Sequence, residues 1–202
     1  MSAYPIVLDG RAIRAVVVGG GEVASRKVFA LLSAGAQVHV IAPTISAELD
    51  AATDHGSLRV TRATYDPAHL DDATLVFAAT NDATINERVA EDARKAGKLV
   101  NVVDAPSGGD FVTPAVHRSG DIVVAVVAGG VPKAAARIRD LIAQSIDERY
   151  GRAVSALSGL RRDLLGRGER DAWRHASSEL LGAEFYEDVE SGRLSSKVDR
   201  WR

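Results

Sequence analysis

The stretch Val16-Val17-Val18-Gly19-Gly20-Gly21-Glu22-Val23-Ala24-Ser25-Arg26-Lys27 decides the fold. Three β-branched residues in a row read as a buried strand, because branched side chains pack well on a pleated surface. The glycines then permit a tight turn. From Glu22 onward Val23, Ala24, Val28, Leu31 and Leu32 recur at helical spacing. Gly19, Gly21 and Ala24 fill the G-x-G-x-x-G/A positions of a dinucleotide fingerprint, in the required context of strand, turn and helix. Such a turn aims free backbone N–H groups at a pyrophosphate, where the helix dipole favours negative charge. The competing reading is a tight strand-to-helix turn with no ligand.

Outward from this turn, strands and helices alternate. The first helix is expected to run to Ala34, with Gly35 as its stop. Gln37–Pro43 reads as a second strand with His39 on one face, and Thr44 as the N-cap of a short helix through Glu48 and Leu49. Ser57–Thr61 is a short strand polar enough for a sheet edge, and His55 and His69 fall in polar connections as solvent residues. Thr74–Ala79 forms a fourth strand, followed by Thr80-Asn81-Asp82 and a helix over Ala83–Ala96. Leu99–Val103 forms a fifth strand and delivers Asp104. This alternation predicts an α/β domain with a doubly wound parallel sheet, and right-handed crossovers favour the order 3-2-1-4-5.

Ligands on such sheets bind beyond the carboxyl ends of the strands, where the order reverses. Gly19 and Gly21 would hold the pyrophosphate, with Pro43 and Thr44 beside the adenosine ribose. Thr80 and Asp104 would lie on the nicotinamide side, where a carboxylate is placed to take a substrate proton. The alternative for Asp104 is a turn or N-cap aspartate before Pro106. The second strand ends in Ile41-Ala42-Pro43-Thr44, without the acid that commonly binds the ribose 2′-hydroxyl and without an arginine for a 2′-phosphate. NAD is therefore expected over NADP.

After Pro106 the alternation breaks. Phe111–Val116 and Asp121–Val127 read as an antiparallel pair around Arg118-Ser119-Gly120, and a helix follows from Pro132 with Ala135, Ile138, Leu141, Ile142 and Ile146 in one stripe. From Gly151 the chain reads as helical, with Arg152, Arg161, Arg162, Arg167, Arg170 and Arg174 among Leu157, Leu160, Leu164, Leu165 and Trp173. Such arginines form a solvated face or, where they meet a ligand, clamp carboxylates bidentately.

Composition removes whole classes of function. The absence of cysteine excludes disulfides, thiolate catalysis and cysteine-ligated metals. The formal net charge of −2 gives no electrostatic case for nucleic acid. No apolar run approaches the roughly 20 residues that span a bilayer. The start, Met1–Asp9, lacks the pattern of a signal peptide, so the expected location is cytoplasmic, with no membrane partner. The five histidines are scattered with no paired spacing, so no metal ligands are assigned. Tyr65, Tyr150 and Tyr186 each lack a lysine four residues on, which disfavours a short-chain dehydrogenase.

Together, Gly19-Gly20-Gly21-Glu22-Val23-Ala24 with Arg26-Lys27, Ala78–Asp82 with Asn86, Asn101–Pro106, and Phe111 with Pro114 closely resemble the precorrin-2 dehydrogenase family, which includes the N-terminal module of siroheme synthase. The motifs run in order from Pro5 to about Arg139. The resemblance implies NAD-dependent oxidation of precorrin-2 to sirohydrochlorin, with ferrous iron insertion to siroheme in many members. It places the catalytic aspartate on Asp104 and cofactor contacts on the glycine turn with Glu22 and Val23, and on Pro43 and Thr44. It also implies a homodimer and three regions: a Rossmann domain over 1–113, a dimerisation segment over 114–147 and a small helical domain over 148–202. The family's serine-containing loop is here Val127-Ala128-Gly129-Gly130-Val131-Pro132-Lys133, so no role of those serines carries over. The alternative from another class is a non-catalytic NAD(H)-sensing regulatory module, which leaves Asp104 without a job.

Overall fold

Strand β1 (Arg14–Val18) lies at the centre of a five-stranded sheet because it is apolar on both faces. It pairs in parallel with β2 (Gln37–Ile41) on one side and β4 (Leu75–Ala78) on the other. Beyond these lie β3 (Leu58–Thr61) and β5 (Leu99–Val102), giving the order β3-β2-β1-β4-β5 expected from the sequence. The register sets Val17 beside Val40 and Phe77, and Val18 beside Ile41 and Ala78, so the carboxyl ends of the three inner strands finish level. This is a computed structural model, and it describes residues 3–103, 105 and 108–202. The chain divides into two compact units, Met1–Thr113 and Pro114–Arg202.

In the first unit, alternate residues of the strands feed two cores. Ala15, Val17, Val38, Val40 and Phe77 pack with Ala24 and Val28 of helix α1 (Glu22–Ser33) and Leu49 of α2 (Ala47–Ala51). Val16, Val18, Ile41, Val76 and Val100 pack on the opposite face with Val89, Ala90 and Ala93 of α3 (Ala83–Lys95). Two single turns of 3-10 helix, Gly10–Ala12 and Pro67–Leu70, lie outside the strand–helix alternation expected from the sequence.

Several local readings change. Ser46, not Thr44, caps α2, and its hydroxyl accepts from the Leu49 N–H. The chain needs two further residues after Pro43 to pass over the glycine turn before a helix begins. His69 is not merely solvated. Its Nδ1 accepts from the Asp66 N–H to close a capping box, and its ring meets that of His39 edge-on at 6.2 Å. Phe111 and Val112 lie outside any strand.

The second unit opens with the hairpin β6 (Ala115–Ser119) and β7 (Ile122–Val126), paired antiparallel. One face of the hairpin packs on α4 (Pro132–Ser145), while Val116 and Val123 on the other stay exposed. The α4 stripe divides in the same way: Ala135 is buried, but Ile138 and Leu141 are exposed because nothing within the unit covers them. Helices α5 (Glu148–Gly166), α6 (Arg170–Leu180), α7 (Phe185–Ser191) and α8 (Arg193–Asp199) enclose a core of Leu157, Leu160, Leu164, Leu180, Leu194 and Val198. Gly151 lets the start of α5 lie against the hairpin turn, where an added Cβ would come within 2.7 Å of Ser119.

Candidate functional site

The three consecutive glycines do different work. Gly19 has φ of 126°, and a Cβ there would lie 2.2 Å from the Ala79 carbonyl oxygen at the end of β4. A Cβ on Gly20 would lie 2.2 Å from the Thr44 carbonyl oxygen. Both positions are therefore packed against backbone, one on each side of β1. Gly21 is the N-cap of α1, and a Cβ there meets nothing within 4 Å. The open face of the turn is thus at Gly21, directly over the first turn of the helix.

That first turn offers the N–H groups of Glu22, Val23 and Ala24, which have no intrahelical acceptor, and no side chain caps it. Ser25 closes the series by donating its N–H to the Gly21 carbonyl at 2.9 Å. Open space, free donors and the positive end of a twelve-residue helix fit a dinucleotide pyrophosphate. Pro43 and Thr44 are exposed beside the turn, at the end of β2. The Thr44 hydroxyl makes no hydrogen bond among the described residues, which leaves it available to a ribose.

Two buried polar devices, not singled out in the sequence reading as site features, hold this geometry. Behind the turn, Leu49 N–H donates to Ser46 Oγ at 3.2 Å, the Ser46 and Ser25 hydroxyls lie 2.8 Å apart, and Ser25 Oγ donates to the Gly21 carbonyl at 3.0 Å. Ser46 N–H also donates to the Gly20 carbonyl at 2.7 Å. The chain of hydroxyls ties α2 to the glycine turn, and the Ser25 of the motif is fully buried to make it. At the end of β4, Asn86 Oδ1 accepts from the Thr80 N–H and hydroxyl at 3.0 and 2.8 Å, and its Nδ2 donates to the Thr80 carbonyl at 3.0 Å. The Thr80 hydroxyl is occupied inside its own turn. The backbone N of Thr80 lies beside Gly19, 3.0 Å from where a Cβ there would be.

The fifth strand has a free edge, and the segment after it returns to close that edge. Val100 and Asp110 exchange backbone and carboxylate bonds of 2.7 and 3.0 Å, Arg94 Nε reaches Asp110 Oδ1 at 3.1 Å, and Asn101 Nδ2 donates to the Phe111 carbonyl at 2.9 Å. Asn101 Oδ1 is buried without a partner among the described residues. Asp104, the expected base, lies outside the described residues. On the α1 side, the Lys27 ammonium sits 5.5 Å from the centre of the Phe77 ring and 3.3 Å from Thr113 Oγ1. Burial, with Arg26 nearby, lowers its pKa from the ordinary lysine value. Burial likewise lowers that of His39, helped by the charges of Arg59 and His69.

Among the described residues no three His, Asp or Glu side chains group in a way that would hold a metal ion. In the second unit, Arg152, Arg167 and Arg174 pair with Glu148, Glu169 and Asp171, whereas Arg161, Arg162 and Arg170 have no ion-pair partner among the described residues. No helix among those residues is long and apolar enough to cross a membrane.

Residues 6–115 match the family model described as "Putative NAD(P)-binding". The chain belongs to this family. The siroheme synthase of Chromobacterium violaceum is 39% identical over 98% of this chain, and that of Methylobacillus flagellatus is 36% identical over the same share. The chain spans 41% of the length of each of these relatives. Among solved structures, that of SirC, a precorrin-2 dehydrogenase, superposes with a TM-score of 0.80 at 27% identity, covering 98% of this chain and 100% of the other. The resemblance drawn from the motifs, the fold class and the cofactor all hold, and nothing found favours a sensing module.

Proposed function

We propose that this chain is a precorrin-2 dehydrogenase, oxidising precorrin-2 to sirohydrochlorin with NAD. The observation that carries the reading is the whole-length likeness to the precorrin-2 dehydrogenase SirC, built on a cofactor turn that is packed on two sides and open on the third. NAD supplies the chemistry of a hydride acceptor. Gly21 and the N–H groups of Glu22, Val23 and Ala24 hold the pyrophosphate, and Pro43 and Thr44 line the ribose. The Thr80–Asn86 turn shapes the nicotinamide side and keeps its own hydrogen bonds internal.

Oxidation removes two electrons and two hydrogens from the substrate. One hydrogen leaves as hydride, and the other leaves a neighbouring position as a proton. Asp104, two positions after the last residue of β5 in the sequence, is the base that takes it. The substrate's carboxylates call for arginines, and of the arginines singled out in the sequence Arg161, Arg162 and Arg170 have no ion-pair partner among the described residues.

The chain acts as a homodimer through residues 114–147, with 148–202 as the helical part of the same compact unit. The exposed Val116, Val123, Ile138 and Leu141 on the hairpin and α4 support this. Ferrous iron insertion into sirohydrochlorin, with iron as substrate, is the second activity that the motif resemblance implies. The location is cytoplasmic.

The test is anaerobic incubation with precorrin-2 and NAD, following NADH formation. Turnover is expected, with loss of about 10²–10⁴-fold in Asp104→Ala, the usual worth of a general base, while NAD binding persists. Full activity in that variant would overturn the assignment of the base. Ferrous iron added to sirohydrochlorin in the same cell tests chelation against the spontaneous rate.

A further inference from the structure

The sequence shows no basic residue at the end of β2, but the sheet brings one there from β3. Thr61, the last residue of β3, pairs with Ile41, and the Ala42 N–H donates to the Thr61 carbonyl at 3.2 Å. Arg62, the next residue, therefore emerges beside Ala42 and Pro43, on the ribose edge of the cofactor site. Its guanidinium is paired with the carboxylate of Asp50 on α2. Asp50 is one helical turn from Ser46, to whose carbonyl its N–H donates, and Ser46 is bonded to the glycine turn itself. The ion pair thus stands at the carboxyl edge of the sheet, and Asp50 is joined through Ser46 to Gly20.

We propose that the Asp50–Arg62 pair is the specificity determinant of the cofactor site, selecting NAD against NADP. The proposal rests on the reading of this turn as a dinucleotide site. A ribose 2′-hydroxyl is neutral and is satisfied by Thr44 and backbone. A 2′-phosphate carries close to two negative charges and needs a cation in a forked geometry, which arginine alone supplies here. Asp50 engages one nitrogen of that fork and adds a negative charge where the phosphate would approach. Both side chains are more than half exposed, at 54% and 61%, so the pair does little for stability and can be altered without unfolding the domain. The selecting acid is thus displaced from the end of β2 to α2, and it acts by neutralising an arginine.

Direct titration of the purified chain with NAD+ and with NADP+, without tetrapyrrole, tests this. The wild type is expected to bind NAD+ more tightly. Asp50→Asn is expected to shift the ratio of the two dissociation constants toward NADP+ by roughly tenfold, the order of one freed charge–phosphate contact. The double variant Asp50→Asn/Arg62→Ala should lose that shift, and added salt should erode it in the single variant. An unchanged ratio in Asp50→Asn, or a shift that survives in the double variant, would overturn the proposal while leaving the dinucleotide site intact. A wild type that binds neither dinucleotide would overturn the underlying reading and this proposal with it.

Discussion

Gly20 and Gly21 are adjacent, share a side chain of one hydrogen, and answer to different demands. At Gly20 an added methyl collides with the Thr44 backbone, which cannot move without breaking the bond from Ser46 to the turn. Gly20→Ala is expected to destabilise the first unit by about 2–4 kcal/mol and to abolish NAD binding. Gly21→Ala fills open space at an N-cap, a change that costs the helix about 1 kcal/mol or less. It nevertheless intrudes on the surface that a pyrophosphate must approach, so the dissociation constant for NAD is expected to rise at least about tenfold with only a small change in melting temperature. Parallel thermal melts and NAD titrations of the two variants check the contrast, and equal effects on both measures would refute it.

The same residues show where sequence reading reached and where it stopped. The fingerprint made Gly19 and Gly21 visible, because steric permission is a property of the residue type. Ser25 sits between them and the rest of the helix, yet a serine in a helical pattern has no periodic signature. Its importance comes from Ser46, which the sheet brings alongside. Arg62 was hidden for the same reason, being far along the chain from Ile41, the strand end it approaches only through the pairing of β3 with β2.

At the level of elements, the turn between β4 and α3 depends on one buried amide. Asn86 satisfies three backbone or hydroxyl groups of Thr80, and it was legible only as part of a family motif. Asn86→Ala leaves the Thr80 N–H and carbonyl unpaired, and a loss of about 2–3 kcal/mol is expected in urea denaturation. Asn86→Asp restores the acceptor but not the donor and should fall between the two.

The α7–α8 pair turns on a charge. Asp188 is 2% exposed and accepts from Lys197 Nζ at 2.5 Å and Arg193 Nε at 3.1 Å. These bonds, that from Lys197 foremost, hold its pKa below the ordinary carboxylate value against the opposing effect of burial. Its contribution to stability is therefore complete above the unfolded pKa of about 3.9 and is lost as pH falls through the lower folded value. Lys197 is shifted upward by Asp188 and Glu184, so its contribution is complete below about 10.4 and is lost as pH rises through the raised folded value. Asp188→Asn should lower stability at neutral pH and flatten the decline at both extremes. Denaturation midpoints measured from pH 2 to pH 11 check this.

For the molecule as a whole, the order of the five strands followed from the alternation of patterns, since the inner strands are apolar and β3 is polar enough for an edge. The second unit was less legible. The α4 stripe looked like an ordinary buried face, yet Leu141 stands 65% exposed because periodicity reports that a face is apolar and not what covers it. If a second copy covers it, Val123→Asp and Leu141→Asp should each shift the protein from dimer to monomer in sedimentation measurements. Retention of the same mass in both would place the contact elsewhere.

The central position of β1 has a consequence for how the chain is born. Of the five strands of this sheet β1 is made first, yet one of its two neighbours, β4, is made only after β2, α2 and β3. Until then the nascent chain carries a strand apolar on both faces with one whole edge unpaired, the situation most prone to wrong pairing. The first unit cannot close piece by piece during synthesis. It must wait for β4, and the open edge of β1 needs shielding for as long as the segment from Gly19 to Leu75 is being made.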